Sequence, residues 1–218
     1  SGDTGAAAIS ALSKRKKINL FVLHPHNKKS KVQKKIMTTI GGNNIYNIAI
    51  KGSFDDCQKI VKQMFADNIF RQTINMSGVT SINWERIIFQ TVYYFYSFLR
   101  LNKKKLNYAV PTGNFGDIYA GYMAKKMGLP IEKLIVATNE NDILQRVINR
   151  GIYKPSKVKA SISPSMDIQI SSNFERLLFY VTNSKDTEVK KLMHNLETKD
   201  FFRITPDQKK IIQKDYRN

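Results

Sequence analysis

The sequence predicts an α/β fold in which parallel strands are connected by crossover helices. Short apolar runs alternate with segments of helical periodicity along the 218-residue chain, an order that is typical of such folds. The composition, 42% hydrophobic and 11% aromatic, is that of a globular core and excludes a disordered or fibrous chain. Several helical segments are followed by glycine or proline, and these residues predict where the helices end.

The N-terminal third is predicted to form, in order, a helix, a strand, a helix, a strand and a helix. Alanines 6–8 favour helix and follow residues that cap helices well. Apolar runs of about six residues indicate buried strands, and apolar residues spaced three and four apart indicate an amphipathic helix. The predicted elements are, in order, a helix from near residue 4, a strand over 18–23, a helix over 30–40, a strand over 45–50 and a helix capped by Ser53.

The remaining residues continue the alternation after an irregular stretch over 69–82. Residues 84–101 are predicted to form a long helix that is apolar nearly all round, and such a helix belongs inside the body of a larger protein. The later elements are strands over 106–110 and 134–138, and helices over 118–127, 141–150, 173–181, 186–196 and 207–216, with 151–172 irregular.

The charge of the chain first suggests nucleic-acid binding. Lys plus Arg number 36 and Asp plus Glu 17, which gives a net charge of +19. The lysines are scattered in doublets, however, and no RNA-binding or zinc-finger signature is present. Solvated faces therefore explain the charge better, and RNA binding remains a third alternative.

The residue types in the chain argue against disulfides, metal sites, a membrane span and secretion. Cys57 is the only cysteine, which excludes an internal disulfide and a multi-cysteine metal site. His24 and His26 have no third ligand nearby, so no metal site is predicted. No apolar run approaches the roughly 18 residues of a membrane span, and no signal peptide pattern opens the chain. The expected compartment is the cytoplasm.

The strongest candidate site is the segment Pro111–Asp117, between a predicted strand and a predicted helix. Its glycines, Gly113 and Gly116, allow a tight turn and a close backbone approach to a ligand. The N–H groups of such a turn and of the helix start form an anion cradle, for which phosphate is the natural guest. The alternative is a plain strand-to-helix turn in which Asp117 caps the helix. The dinucleotide and P-loop patterns do not match.

Weaker candidates flank other helices. Residues 1–5 could bind a carboxylate or phosphate or simply cap a helix. Ser81 and Asn83 can cap the following helix or donate to a ligand, and Arg86 could hold a phosphate through two hydrogen bonds. Capping and loop packing are the favoured roles of 163–176. No arrangement of nucleophile, histidine and acid is visible.

Five segments in order carry a resemblance that none of them carries alone. They are SGDTGAA at 1–7, SINW at 81–84 with Gln90 and Tyr93–Phe95, PTGNFGD at 111–117, ATN at 137–139 with Asn141 and Asp142, and SNFER at 172–176. This combination resembles the threonine synthases of bacteria and fungi, from residue 1 to about residue 205.

The resemblance implies a three-layer, parallel-sheet fold of the tryptophan-synthase-β-like type with pyridoxal 5'-phosphate as cofactor. It implies a carbon–oxygen lyase that converts O-phosphohomoserine and water to threonine and phosphate. The residues that would hold the cofactor phosphate are Gly113, Asn114, Phe115, Gly116 and Asp117, in agreement with the cradle hypothesis. Those that would face the substrate are Ser1, Asp3, Thr4, Ser81 and Asn83, although most relatives have Asn where this chain has Thr80.

The sequence also departs from the family pattern. The lysine that forms the Schiff base with the cofactor lies upstream of the SGDTGAA segment in the family, so no catalytic residue is assigned in this chain. The fold is expected to be incomplete at both ends, with 1–80 forming most of a small domain and 81–218 part of a large, cofactor-binding one. Such a fragment should be inactive alone. A non-catalytic phosphate-binding remnant, or one piece of a split enzyme with a complementing chain, remains an alternative.

Overall fold

The computed structural model describes residues 2–26 and 31–218, without the side chains of residues 2 and 3. Two compact units are present, with the boundary between Thr80 and Ser81. The elements of the first unit are α1 (Gly2–Leu12), β1 (Leu20–Pro25), α2 (Lys31–Thr39), β2 (Ile45–Ile50), α3 (Phe54–Ala66) and α4 (Asn68–Thr73). The assignment of the units to a small and a large domain stays a prediction.

The first unit is built on a parallel strand pair with a crossover helix, as the alternation predicts. β1 pairs with β2 from Leu20 opposite Ile45 to Pro25 opposite Ile50. This pairing moves β1 two residues beyond the predicted run, because the partner strand determines where the ladder ends. A small core of Ile9, Val22 and Met37 packs against the pair.

α3 begins as the sequence predicts, whereas α4 was not foreseen. Ser53 caps α3, and its hydroxyl accepts from the Asp56 N–H at 3.2 Å while the Asp56 carboxylate accepts from the Ser53 N–H at 2.6 Å. Cys57 is buried on this helix, in the core position expected for it. The prediction that 69–82 is irregular is wrong for its first part, since Asp67 caps a further short helix by accepting from the Phe70 N–H at 2.9 Å.

The Asp55 carboxyl makes the stability of the first unit depend on pH. Burial raises its pKa from 3.8 to about 6, with Asp56 adding to the shift and Lys62 opposing it. Its Oδ1 atom is buried without a hydrogen-bond partner in the described part of the chain. The folded state therefore holds this proton more tightly than the unfolded state does. The contribution of this carboxyl to stability is therefore greatest below about pH 4 and is lost as the pH rises from about 4 through 6.

We expect Asp55→Asn to stabilise the first unit by on the order of 2 kcal/mol at pH 8. At pH 4 the gain should be only about 0.5 kcal/mol. Labelling of buried Cys57 by a pyridyl disulfide along a urea series measures this at each pH. Asp67→Asn is the matched control and should change stability little at either pH, because Asp67 is exposed and asparagine can also accept from the Phe70 N–H. An equal gain from Asp55→Asn at both pH values would contradict the assignment.

The second unit contains a three-stranded parallel sheet and six α-helices among its described residues. The elements are α5 (Trp84–Leu101), β3 (Leu106–Pro111), α6 (Gly116–Lys126), β4 (Ile131–Ala137), α7 (Ile143–Arg150), β5 (Ile152–Tyr153), a 3-10 turn (Pro164–Met166), α8 (Phe174–Val181), α9 (Asp186–Lys199), β6 (Phe202–Arg203), α10 (Pro206–Asp215) and β7 (Tyr216–Arg217).

The strands of this unit have the order β3-β4-β7, all parallel. β5 and β6 form a separate antiparallel pair of two residues each. The sequence predicts β3 and β4 but not the three two-residue strands, since ladders this short carry no periodicity of their own. Ile118 and Leu134 lie fully buried in the core beside the sheet.

α5 has the predicted bounds but is buried on one side only. Ile87 and Tyr94 face the core. The opposite side exposes large apolar residues, namely Ile88, Phe89, Val92, Tyr93, Tyr96 and Leu99. The described residues therefore do not bury this helix all round. Among the helices described, none has the length and hydropathy that crossing a bilayer requires.

Candidate anion-binding site

The candidate site is the loop between β3 and α6, which we call the cradle loop (residues 112–117). Its first residue is tied to the neighbouring strand, because the Thr112 N–H donates to the Ala137 carbonyl oxygen at 2.9 Å. The loop thus leaves the sheet at the carboxyl ends of two adjacent parallel strands. Ligands of open α/β sheets bind at this edge.

The turn is made by Phe115 rather than by a glycine. Phe115 has φ 63°, in the left-handed region, and occupies the N-cap position of α6. Neither Gly113 nor Gly116 has a positive φ, so the expectation that the glycines make the turn is wrong. Asp117 is not the cap either. Burial of the Phe115 ring, edge-on to Phe174 at a centroid distance of 5.4 Å, offsets the strained backbone.

The two glycines are required by close approach of the protein itself. A Cβ atom on Gly113 would lie 3.0 Å from Ile168 Cδ1 and 3.3 Å from the Met166 Cα. A Cβ atom on Gly116 would lie 3.3 Å from Asn173 Nδ2 and 3.5 Å from the Ser81 carbonyl oxygen. A side chain at either position would therefore displace the cradle loop from the segments that support it.

Hydrogen bonds from residues 171–173 hold the carbonyl groups of the cradle loop. The Ser171 hydroxyl donates to the Gly113 carbonyl oxygen at 2.8 Å. The Asn173 N–H and Nδ2 donate to the Asn114 carbonyl oxygen at 3.1 and 3.0 Å. In a trans peptide the N–H points opposite to the C=O. The N–H groups of Asn114 and Phe115 are consequently directed away from residues 171–173.

The N–H groups of residues 113–118 find no acceptor in the part of the chain that the structure describes. Three of them belong to the first turn of α6, where the helix dipole is positive. Thr112 is buried, and its hydroxyl oxygen also lacks a partner among the described residues. A run of free donors at a helix N-terminus can bind an anion such as phosphate.

Asp117 modulates the charge at this helix start. Burial raises the pKa of its carboxyl, and the neighbouring Tyr94 phenol acts in the opposite direction. The Tyr94 hydroxyl donates to the Asp117 backbone carbonyl oxygen at 2.9 Å. An ionised carboxylate would repel a bound phosphate, so a raised pKa weakens that repulsion.

Asn173 brings a second predicted segment to the cradle loop. Its Nδ2 also donates to the Ser81 carbonyl oxygen at 2.8 Å, and its Oδ1 accepts from Arg176 Nε at 3.0 Å. The Arg176 Nη2 in turn donates to the Ile82 carbonyl oxygen at 2.8 Å. The predicted segments 81–83 and 113–117 are therefore neighbours.

Comparison with known proteins identifies the family. Residues 1–206 match the family described as pyridoxal-phosphate dependent enzyme. The chain belongs to this family.

The resemblance to threonine synthases is also confirmed. The chain is 54% identical over 181 residues to the threonine synthase of Pseudomonas aeruginosa, covering 82% of this chain and 39% of that protein. It is 50% identical over 205 residues to that of Saccharomyces cerevisiae, covering 89% and 40%. The chain therefore spans about two-fifths of the length of these curated relatives.

Solved structures confirm the α/β fold. A threonine synthase from Brucella melitensis with bound pyridoxal phosphate superposes with a TM-score of 0.86 at 48% identity, covering 99% of this chain and 47% of that one. The yeast threonine synthase gives a TM-score of 0.84 at 46% identity, covering 98% and 44%.

The cradle loop fits the phosphate group of the family's cofactor. That group is a multiply charged anion, which prefers converging N–H donors over side-chain carboxylates. The free N–H groups of residues 113–118 and the unpartnered Thr112 hydroxyl are the donors that such a group needs.

Of the other residues predicted to contact a ligand, the structure describes some and not others. Asn83 caps α5, since its Oδ1 accepts from the Glu85 N–H at 2.9 Å. Thr4 lies half-buried in the first turn of α1. Ser1 and the side chain of Asp3 lie outside the described residues. Burial lowers the pKa of the Arg86 guanidinium.

For the described residues, no cluster of His, Cys, Asp and Glu could hold a metal ion. Thr112 lies inside the predicted segment Pro111–Asp117, but no ligand contact was predicted for it. Ser171 lies inside 163–176, for which capping and loop packing were predicted. Its hydrogen bond to Gly113, 58 residues away, could not be predicted from local sequence.

Proposed function

We propose that the chain is the cofactor-phosphate-binding part of a threonine synthase, which converts O-phosphohomoserine and water to threonine and phosphate. The observation that carries this proposal is the run of N–H groups over residues 113–118 without an acceptor among the described residues. The two relatives described above are threonine synthases, which supports the choice of reaction within the family.

In this proposal the cradle loop binds and orients the cofactor. The N–H groups of Gly113, Asn114, Phe115, Gly116 and Asp117 hold the phosphate of pyridoxal phosphate. When bound, the cofactor supplies an electron sink for carbanion chemistry. Fixing its phosphate at a helix start sets the position of its ring relative to the substrate.

Ser81 and Asn83 are proposed to face the substrate because Asn173 joins their segment to the cradle loop. Ser1, Asp3 and Thr4 are proposed as further substrate contacts on the basis of the resemblance alone. None of these residues is assigned a proton-transfer role. The proton-carrying lysine would come from the family segment that precedes SGDTGAA.

A complementing chain with that lysine is the partner that the split-enzyme alternative requires. A non-catalytic phosphate-binding protein would use the same cradle loop without such a partner. Turnover of O-phosphohomoserine on addition of a lysine-bearing segment would distinguish the two. The cytoplasm remains the proposed compartment.

Thr112→Val is expected to weaken ligand binding while stabilising the fold. Valine has the shape of threonine and removes a buried hydroxyl that lacks a partner among the described residues, which should stabilise the second unit by about 1 kcal/mol. If that hydroxyl donates to the phosphate, affinity for pyridoxine 5'-phosphate should fall about tenfold. Calorimetric titration measures the affinity, and urea unfolding followed by Trp84 fluorescence measures the stability.

Pyridoxine phosphate is the suitable probe because it lacks the aldehyde that would react with surface lysines. Thr91→Val is the matched control, since the buried Thr91 hydroxyl already donates to the Ile88 carbonyl oxygen at 2.6 Å. This control should leave the affinity unchanged. Equal affinities of wild type and Thr112→Val would remove Thr112 from the proposed site.

A further inference from the structure

We infer that Asp167 is a positioning residue for the cradle loop, an inference that rests on the proposed function of that loop. Its carboxylate is held by neutral donors. The Oδ1 atom accepts from Ser161 Oγ at 2.6 Å, Asn139 Nδ2 at 2.8 Å and Asn141 Nδ2 at 3.2 Å. The Oδ2 atom accepts from the Ser161 N–H at 2.9 Å. Among the ion pairs of the described residues, none involves Asp167.

These bonds join the end of β4 to the loop that contains the 3-10 turn Pro164–Met166. Asn139 Oδ1 accepts from the Asn141 N–H at 2.9 Å, which folds the chain after β4 into a turn. Asn141 is buried and binds both the carbonyl oxygen and the N–H of Lys159, at 2.8 and 2.9 Å. It also accepts from Gln169 Nε2 at 3.2 Å. Asp167 is thus fixed relative to the sheet at the edge where the cradle loop begins.

The residues that follow Asp167 contact the cradle loop directly. Ile168 is buried and packs against Gly113. Its Cδ1 atom lies 3.0 Å from the position that a Cβ atom on Gly113 would occupy. Ser171 and Asn173 hold the carbonyl groups of Gly113 and Asn114. Asp167 therefore anchors this supporting segment, residues 167–173, at the end of β4, together with Gln169.

The direction of the cradle N–H groups depends on this anchor. If residues 167–173 shift, the carbonyl groups of Gly113 and Asn114 lose their donors, and the adjoining N–H groups lose their fixed orientation. Among the described residues, the Asp167 carboxylate makes no hydrogen bond or ion pair with the cradle loop. Its effect would be to preorganise the donors before the phosphate binds, as second-layer residues do at metal sites.

Asp167→Asn tests this inference because it keeps the shape and replaces one acceptor oxygen by a donor. We expect the affinity of the full chain for pyridoxine phosphate to fall about tenfold. We also expect faster hydrogen exchange at the Asn114 and Phe115 amides of the unliganded variant. Glu140→Gln is the matched control, since Glu140 is an exposed acid in the same turn and pairs only loosely with Lys159, at 3.3 Å. It should change neither quantity.

Wild-type affinity and exchange in a folded Asp167→Asn variant would overturn the inference. If that variant does not fold, Ser161→Ala removes one hydroxyl donor to Asp167 and should give a smaller loss in the same direction, and no loss would again overturn it. If the wild type binds pyridoxine phosphate no better than pyridoxine, the proposed function fails, a result distinct from a variant that binds as well as the wild type. If hydrogen exchange changes only within residues 159–169, Asp167 serves local loop packing alone, and this result would contradict the inference.

Discussion

Asn173→Ala should abolish measurable binding of pyridoxine phosphate and destabilise the second unit by about 3 kcal/mol. Asn173 is fully buried, and its side chain bonds the Ser81 and Asn114 carbonyl oxygens and Arg176 Nε. Alanine would leave the Ser81 carbonyl oxygen and Arg176 Nε without these bonds in a dry environment, whereas the Asn114 carbonyl oxygen would keep only the bond from the backbone N–H of residue 173. The loss of one of its two donors would also weaken the hold on the Asn114 carbonyl group that orients the Phe115 N–H.

Trp84, the only tryptophan, reports this change directly. The Arg176 guanidinium lies over its ring at 5.1 Å from the centroid, and Arg176 is bonded to Asn173. Urea unfolding followed by Trp84 fluorescence therefore measures the stability of this unit. Asn149→Ala is the control, because Asn149 is exposed on α7. A loss of less than 1 kcal/mol in Asn173→Ala would show that Asn173 does not have the structural role assigned to it.

Gly121→Val is expected to destabilise the second unit by about 3 kcal/mol or more, because it overpacks the core. A Cβ atom at Gly121 would lie 2.6 Å from Tyr94 Cε1 and 2.9 Å from Leu134 Cδ2. These distances leave no room for a side chain between α5, α6 and β4. Thermal unfolding followed by far-ultraviolet circular dichroism measures the effect.

Two comparisons separate overpacking from the general effect of replacing a glycine. Gly41→Ala should change stability by less than about 0.5 kcal/mol, since a Cβ atom there meets nothing within 4 Å. Gly121→Ala should cost less in a Tyr94→Ala background than in the wild type, with a coupling on the order of 1 kcal/mol. Simple additivity of the two substitutions would contradict the packing account.

The sequence predicts the long elements and the place of the candidate site. α5 and β2 have the predicted bounds, because each is long or periodic enough to be recognised without its neighbours. The cradle loop was singled out because its glycines lie between a predicted strand and a predicted helix, with a plain strand-to-helix turn as the alternative. Its conformation was not found, since the left-handed Phe115 is stabilised by contacts with Phe174 that lie far away in sequence.

The support of the site could not be read from the sequence for the same reason. Ser171 and Asn173 were assigned to capping and packing, and only the fold shows that they bind the carbonyl groups of Gly113 and Asn114. The two-residue strands β5, β6 and β7 likewise exist because tertiary structure brings their partners together.

Backbone amide chemical shifts during a titration with pyridoxine phosphate test the central claim most directly. The titration is made at about 0.15 M salt, which screens non-specific attraction to a chain of net charge +19. Pyridoxine without phosphate serves as the control ligand. We expect large, saturable shifts of the amides of residues 113–118 with pyridoxine phosphate only. Shifts spread over the lysine-bearing surfaces, or equal shifts with pyridoxine, would contradict the assignment of the cradle loop as the phosphate site.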